Sequence, residues 1–270
     1  MSELRPVTPL SILSKKLSEL KDLGSKMGLE GELSKLIEEC CALAQPLDQY
    51  LAEHSTKASP ALIALEKHTN ALDWEAAFQK GATSIRLEKE MLSGALEGQL
   101  LQMLVALTGT KRILEIGSFT SYASLAMAEA LPEEGTLIAC EYDPFAADFA
   151  QQQLANTPVG KKVKIQVGEA LATLSALQKE GYSFDFVFLD ADKENYLTYY
   201  QTILEAELLK VGGLLCVDNT LYMGQVYGAG EQTKNGAAIE AFNKAVKADP
   251  NVQKVILPIR DGLTLIRRIA

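Results

Sequence analysis

From about residue 90 onward the apolar positions fall into two alternating kinds of run. Short, nearly unbroken apolar stretches, "RILEIG", "TLIACEYD", "KVKIQVG", "FDFVFLD" and "GLLCVDN", are one kind. Between them apolar residues return every three or four positions: "EGQLLQMLVAL" before the first, then "SYASLAMAEAL", "FAADFAQQQLA", "ALATLSALQKE", "NYLTYYQTILEAELL" and "AAIEAFNKAVKA". The first kind predicts strands buried on both faces, the second amphipathic helices, and their alternation predicts a parallel sheet covered on both sides. The end of the chain departs from the pattern. "VQKVILPI" and "LTLIRRIA" are strand-like runs joined by "RDG", which predicts an antiparallel hairpin closed by an Asp-Gly turn. The expected fold class is α/β: a doubly wound, seven-stranded, mostly parallel sheet with one antiparallel strand.

Residues 1–80 read differently. "SILSKKLSELKDLG" and "GELSKLIEECCALAQPLDQYLAE" carry helical spacing broken by Gly, Pro and Ser, with no strand and no catalytic constellation. The expected organisation is a helical N-terminal extension over 1–80 and a catalytic domain over 81–270. The extension is expected to pack on the main domain or on a second subunit, with a cap over the active site as the alternative. His54 and His68 lie in it and are read as surface or packing residues.

Composition narrows the partners. A net charge of −9 argues against nucleic acid and anionic membranes, which need clustered Lys and Arg. No apolar run approaches the roughly 20 residues of a membrane span. The start, "MSELRPVTPL", lacks the basic-then-apolar pattern of a signal peptide, so the cytoplasm is the expected location. Cys40 and Cys41 are adjacent, while Cys140 and Cys216 sit in apolar runs as small hydrophobes; no disulfide framework is expected.

In an open α/β sheet, ligands bind beyond the carboxyl ends of the strands. The first strand delivers "LEIGSFTS", with Glu115 inside its end and Gly117 at the turn. The second ends in Glu141, placed to accept hydrogen bonds from both hydroxyls of a ribose. "GSFTS" is not G-x-G-x-x-G, so the pattern suits a nucleoside without a pyrophosphate. The fourth strand delivers Asp190 and the fifth Asp218 and Asn219. Should those strands end level, two carboxylates and an amide form an oxygen-only site suited to Mg²⁺, Mn²⁺ or Ca²⁺. The competing reading is local: Asp190 and Asp192 cap the next helix, and Asp218 and Asn219 make a turn. Capping is the expected role of Asp192. Lys193 lies close to any such metal and is a candidate general base, against the plainer reading of a solvated lysine.

With these residues assembled, the chain resembles the cation-dependent O-methyltransferases that use S-adenosylmethionine, the caffeoyl-coenzyme A and catechol O-methyltransferase-like group. The likeness covers roughly residues 86 to 270. It is carried in order by "EMLSGALEGQLLQML", "RILEIGSFTSYASLAMAEALPEEGTLIACEYDP", "FDFVFLDADKENYLTYY", "GGLLCVDNTLYMGQV" and "LPIRDGLTLIRRI". The resemblance implies a class I methyltransferase fold, S-adenosylmethionine and a divalent cation as cofactors, and a homodimer. It implies Asp190, Asp218 and Asn219 as metal ligands and Lys193 as base. Glu141 would hold the ribose and Ala170 would border the adenine. Gly117 and Ser118 would line the cofactor, Ser93 and Glu97 would contact its methionine end, and Glu115 would lie beneath it.

Three departures stand out. The family's "FTGYS" is "FTSYA" here, with Ser121 for a glycine and Ala123 where a serine helps bind the cofactor carboxylate. Ser124 is the nearest substitute for that hydroxyl, though a helix would aim it elsewhere. Tyr222 and Met223 stand where plant members carry tryptophan and asparagine near the substrate. "RPVTPLSIL", "EMLSGALEGQ" and "DNTLYMGQVY" further resemble the methyltransferases of mycosporine and gadusol biosynthesis, which implies demethyl-4-deoxygadusol as acceptor. A phenolic acceptor of the catechol or caffeoyl type is the alternative. Two rival readings remain: a nucleotide-dependent oxidoreductase on the same sheet type, and a catalytically silent cofactor-binding protein.

Overall fold

The computed structural model describes residues 5–228 and 230–270. Helices α1 (Pro9–Lys26), α2 (Glu32–Ala44), α3 (Leu47–His54), α4 (Pro60–Ala71) and α5 (Trp74–Gln79) come first, followed by α6 (Gly94–Leu107). Then β1 (Arg112–Ile116), α7 (Tyr122–Ala130), β2 (Thr136–Glu141), α8 (Pro144–Ala155), β3 (Val163–Val167) and α9 (Ala170–Lys179) alternate. The chain ends with β4 (Phe184–Leu189), α10 (Tyr196–Glu205), β5 (Leu209–Val217), α11 (Lys234–Ala248), β6 (Val252–Leu257) and β7 (Leu263–Arg268). Several starts follow local chemistry. Thr8, Ser59, Asp143 and Thr233 each accept a backbone N–H as N-caps, and proline opens α1, α4 and α8, where no N–H donor is needed.

The seven strands form one sheet in the order β3-β2-β1-β4-β5-β7-β6. β7 runs antiparallel to both its neighbours, β5 and β6, so the mostly parallel sheet with one antiparallel strand is as expected. The turn between β6 and β7 is not the Asp-Gly turn that the sequence suggests. Gly262 N–H bonds the Ile259 carbonyl at 2.8 Å, which puts Arg260 and Asp261 at its centre. β5 also begins earlier than its apolar run. Gly212 and Gly213 interrupt the pattern, and a register shift between Phe184 and Phe186 accommodates them.

Each central strand divides its side chains between two cores. Leu114, Ile116, Val187, Leu189, Leu215 and Val217 pack under α9, α10 and α11. Ile113, Phe186, Phe188 and Cys216 pack on the other face, under α6 and α7. Glu115, Asp190 and Asp218 share the parity of this second set, so they extend its face at the strand ends. The cysteines are free, and Cys140 and Cys216 are buried as small apolar groups.

The early helices divide into two behaviours. On α4, Leu62 and Leu65 are buried against Tyr122, Leu125 and Leu154, and each buried leucine contributes about 1.5–3 kcal/mol. Trp74 on α5 stacks obliquely on Phe119 at 4.8 Å. From residue 60 the extension thus packs against the α/β body. By contrast α1 buries no residue, and Leu13, Leu20 and Leu23 on it are about half exposed. His54 and His68 are exposed, bonded to the Tyr50 carbonyl and the Gln153 side chain. Among the described residues no helix is long and apolar enough to cross a membrane.

Candidate active site

Strand register decides what meets at the sheet's carboxyl edge. Ile116 pairs with Cys140 on one side and Leu189 on the other, and Leu189 pairs with Val217. The next residue of each strand is therefore level with the others: Glu141, Gly117, Asp190 and Asp218. The ladder carries on through them, with Gly117 N–H on Cys140 O at 3.0 Å, Asp190 N–H on Ile116 O at 2.9 Å and Asp218 N–H on Leu189 O at 3.0 Å. Above this row lies a cavity of about 940 Å³. Ser93, Glu115, Gly117, Ser118, Glu141, Ala170, Asp190, Lys193, Asp218 and Asn219 all line it. Of the residues expected to hold the cofactor, the metal or the proton, only Glu97 does not.

One end of the cavity is built around the turn after β1. Gly117 has φ +87°, and a Cβ there would run into the Asp190 carbonyl and the Ala191 backbone. Phe119 and Ser121 also have positive φ, a strained conformation for non-glycine residues. At Ser121, with φ +65°, glycine would adopt the same shape freely, which fits the glycine of the "FTGYS" pattern named above. Glu141 holds the turn in place, accepting the Phe119 N–H at 2.6 Å and the Asp143 N–H at 2.9 Å. Burial pushes its carboxyl up to about 7, against these bonds. Each carboxylate oxygen can accept a second bond, so Glu141 keeps capacity toward the cavity. Ser118 and Tyr122 line the cavity, and among the described residues Ser118 Oγ and Tyr122 OH are buried without a hydrogen-bond partner.

Glu115 lies deeper and is almost fully buried. Ser124 Oγ donates to its carboxylate, and burial raises the carboxyl to about 8. Ser124 therefore points at Glu115 and does not line the cavity, so it does not stand in for the hydroxyl missing at Ala123.

The other end is acidic. Asp218 is 2% exposed; burial first, and then the neighbouring Asp190 charge, push its carboxyl up to about 6. Asn219 has φ +60°, and its N–H donates to Asp218 Oδ1 at 2.7 Å. Among the described residues no three His, Cys, Asp or Glu side chains are grouped as a metal centre. Lys193 Nζ donates to Asp190 Oδ1 at 2.8 Å, Ala191 O at 3.0 Å and Tyr196 OH at 2.8 Å, which engages all three of its N–H bonds. Asp192 makes no side-chain cap, contrary to expectation. Its carboxylate accepts instead from Asn195 Nδ2 at 2.5 Å and Tyr199 OH at 2.7 Å, because the chain enters α10 through a tight 3₁₀ turn.

Two residues absent from the sequence reading complete the acidic end. Asp261 accepts the Met223 N–H at 2.5 Å and gives its own carbonyl to Leu221 N–H at 2.8 Å. Burial raises its carboxyl to about 7. The segment after β5, where Tyr222 and Met223 have positive φ, is thus clamped by the β6–β7 turn. Arg260 forms an ion pair with Glu97, which explains why Glu97 is turned away from the cavity. Burial works against the Arg260 charge, but Glu97, Asp218 and Asp190 more than offset it and raise its pKa.

The N-terminal segment reaches the same place. Arg5, Val7 and Thr8 line the cavity, Arg5 is paired with Glu88 at 2.7 Å, and α1 packs on the turn at Tyr222–Gly224. The start of the extension therefore walls the cavity, the capping alternative considered above.

An open sheet with reversed strand order at β1/β4, a ligand cavity over that point and an acid at the end of β2 define a class I S-adenosylmethionine-dependent methyltransferase fold. Residues 59–269 match the family model described as O-methyltransferase, and the chain belongs to that family. It is 39% identical over 188 residues to caffeoyl-CoA O-methyltransferase 1 of Eucalyptus globulus, covering 67% of this chain and 76% of that protein. Caffeoyl-CoA O-methyltransferase 2 of Petunia hybrida is 37% identical over 189 residues, covering 67% and 77%. Among solved structures, the O-methyltransferase TomG of Streptomyces achromogenes, in complex with S-adenosylmethionine, superposes with a TM-score of 0.69 at 28% identity, covering 83% of this chain and 96% of that one. The S-adenosylhomocysteine-bound methyltransferase PaMTH1 of Podospora anserina gives 0.72 at 25% identity, covering 85% and 96%. These likenesses remove the oxidoreductase and silent-protein readings: the chain is a S-adenosylmethionine-dependent O-methyltransferase.

Proposed function

We propose that this enzyme methylates one of two vicinal oxygens on a compact, polar ring, with demethyl-4-deoxygadusol as the acceptor. The observation that carries the reading is the cavity itself. Its acidic end lies level with its cofactor end, and Arg5, Val7 and Thr8 of the N-terminal segment form part of its wall. Asp190, Asp218 and Asn219 are proposed to hold a divalent cation. The donor set fits: three oxygen donors, two of them neighbouring carboxylates whose mutual repulsion a dication would relieve. Mg²⁺ is the first choice, with Mn²⁺ and Ca²⁺ sharing the preference for oxygen. When bound, such an ion would make an adjacent hydroxyl more acidic.

S-adenosylmethionine supplies a methyl group on a sulfonium. For it, Glu141 is proposed to accept the ribose hydroxyls, and Gly117 and Ser118 to line its middle. Ala170 would border the adenine, with Ser93 near the methionine end and Glu115 beneath it; Glu97, expected at that end, is paired with Arg260 instead. Lys193 is proposed to take the acceptor's proton at Nζ, for which the ammonium must first give up one of its own protons to solvent and open one of its three bonds. The chain's main contribution is alignment, since holding two reactants in line supplies most of the acceleration in such a transfer. Glu141→Ala is expected to weaken S-adenosylmethionine binding by about 1.5–3 kcal/mol, the worth of a hydrogen bond to a charged group. Calorimetric titration checks this; unchanged affinity places the ribose elsewhere.

A second reading, a caffeoyl or catechol acceptor, is favoured by the names of the relatives. A side-by-side assay separates the two. The expected order is demethyl-4-deoxygadusol first, simple catechols weak and caffeoyl-coenzyme A weakest, because a chain of net charge −9 disfavours an anionic nucleotide tail. Caffeoyl-coenzyme A as best acceptor would overturn the gadusol assignment and leave O-methyl transfer intact.

Residues 1–80 are proposed as the extension and 81–270 as the catalytic domain. The half-exposed leucines of α1, with Leu33, Leu36 and Leu43 of α2, support a homodimer in which a second copy covers them. Light scattering showing a monomer at micromolar concentration would exclude it.

A further inference from the structure

Methyl transfer to a neutral diol needs no second cation at the acidic end, yet Arg260 stands there. Its φ is +50°, at the second position of a turn that ordinarily takes glycine. A long side chain persists in that conformation where the surroundings hold it and, often, where function uses it. The guanidinium is anchored at one edge only. Nη1 donates to Glu97, and Nη2 donates to the Leu92 carbonyl at 3.1 Å. Among the described residues these are its only hydrogen bonds, and a guanidinium carries five N–H donors. The side chain is 21% exposed and lines the cavity, so a ligand held there can reach the guanidinium. Lys193, the other cation there, is engaged on three sides.

We infer that Arg260 is a specificity-determining residue that receives a third, negatively charged oxygen of the acceptor, next to the vicinal pair. The inference rests on the methyl-transfer reading above and names the substrate class more closely. The preferred acceptor enters as an anion: an enediolate conjugated with a carbonyl, whose charge is shared between two oxygens, or a diol with an adjacent carboxylate. A planar fork of donors suits such a delocalised oxyanion better than a point charge does. Glu97 fixes the fork's orientation as a positioning residue.

The test compares 2,3-dihydroxybenzoate with its neutral isostere 2,3-dihydroxybenzamide on the full chain, with S-adenosylmethionine and Mg²⁺. The wild type is expected to favour the benzoate in kcat/KM by at least about tenfold, the scale of one charge-assisted hydrogen bond. Removing one partner of a buried pair strands the other, so the variant is Arg260→Gln with Glu97→Gln. It is expected to lower benzoate turnover at least about tenfold more than benzamide turnover, chiefly through KM. Arg260→Lys, which keeps the charge, should retain part of the preference. Equal wild-type rates on the two acceptors, or equal losses in the double variant, would overturn the inference alone. A wild type that methylates neither these nor any other vicinal-dioxygen acceptor would overturn the methyl-transfer reading as well. Should the double variant fail to fold, the wild-type ratio and the lysine variant decide.

Discussion

Asp218→Ala is expected to lower kcat by at least about a hundredfold, and Asp190→Ala to do the same. Losing even the partner of a metal ligand commonly costs ten- to a hundredfold, and these are proposed as the ligands themselves. A chelator should silence the wild type to a similar degree, with Mg²⁺ or Mn²⁺ restoring it but not the variants. The same site makes an opposite prediction for stability. In the metal-free protein Asp218 is buried beside Asp190, and their repulsion opposes folding wherever both are ionised. Asp218→Asn keeps the shape and removes that repulsion, so it should raise the melting temperature near neutral pH while abolishing turnover. A rise in stability bought with activity is the usual sign of a functional site. Full activity after chelation, with no response to added ion, would refute the cation assignment.

Gly117→Ala is expected to destabilise the protein by several kcal/mol and to abolish cofactor binding. Two costs combine. The left-handed backbone opposes any Cβ by about 1–2 kcal/mol. The new methyl must also displace the Asp190 carbonyl, part of a residue whose N–H is held in the sheet ladder, and forced overpacking adds roughly 1–3 kcal/mol. Gly28→Ala is the control. Gly28 also has positive φ, at +68°, but a Cβ there meets nothing within 4 Å, so it should show the first cost alone. Chemical denaturation and titration with S-adenosylmethionine measure the pair. Equal, small effects at both positions would mean that β1 and β4 separate easily, and that the cofactor turn is not rigidly set by Asp190.

What could be read without coordinates was whatever depends on short stretches. Strand and helix identity from β1 to β7 follows from two periodicities, because a buried strand and a one-sided helix impose different spacing on apolar residues. Glu141, Asp190 and Asp218 were visible as site residues for a related reason: parallel strands deliver their carboxyl ends to one edge, so the residue after each apolar run is a candidate. Arg260 and Asp261 were not visible as site residues. They precede a strand, and such residues belong at the opposite edge unless the strand runs backward. Only the insertion of β7 antiparallel between β5 and β6 brings its beginning to the edge where the other strands end. The pairing of Glu97 with Arg260, the inward turn of Ser124 and the arrival of Arg5, Val7 and Thr8 at the cavity are of the same kind. Each joins segments far apart in the chain, and the energy that selects such a contact comes from packing and charge in the folded state, which no local spacing encodes.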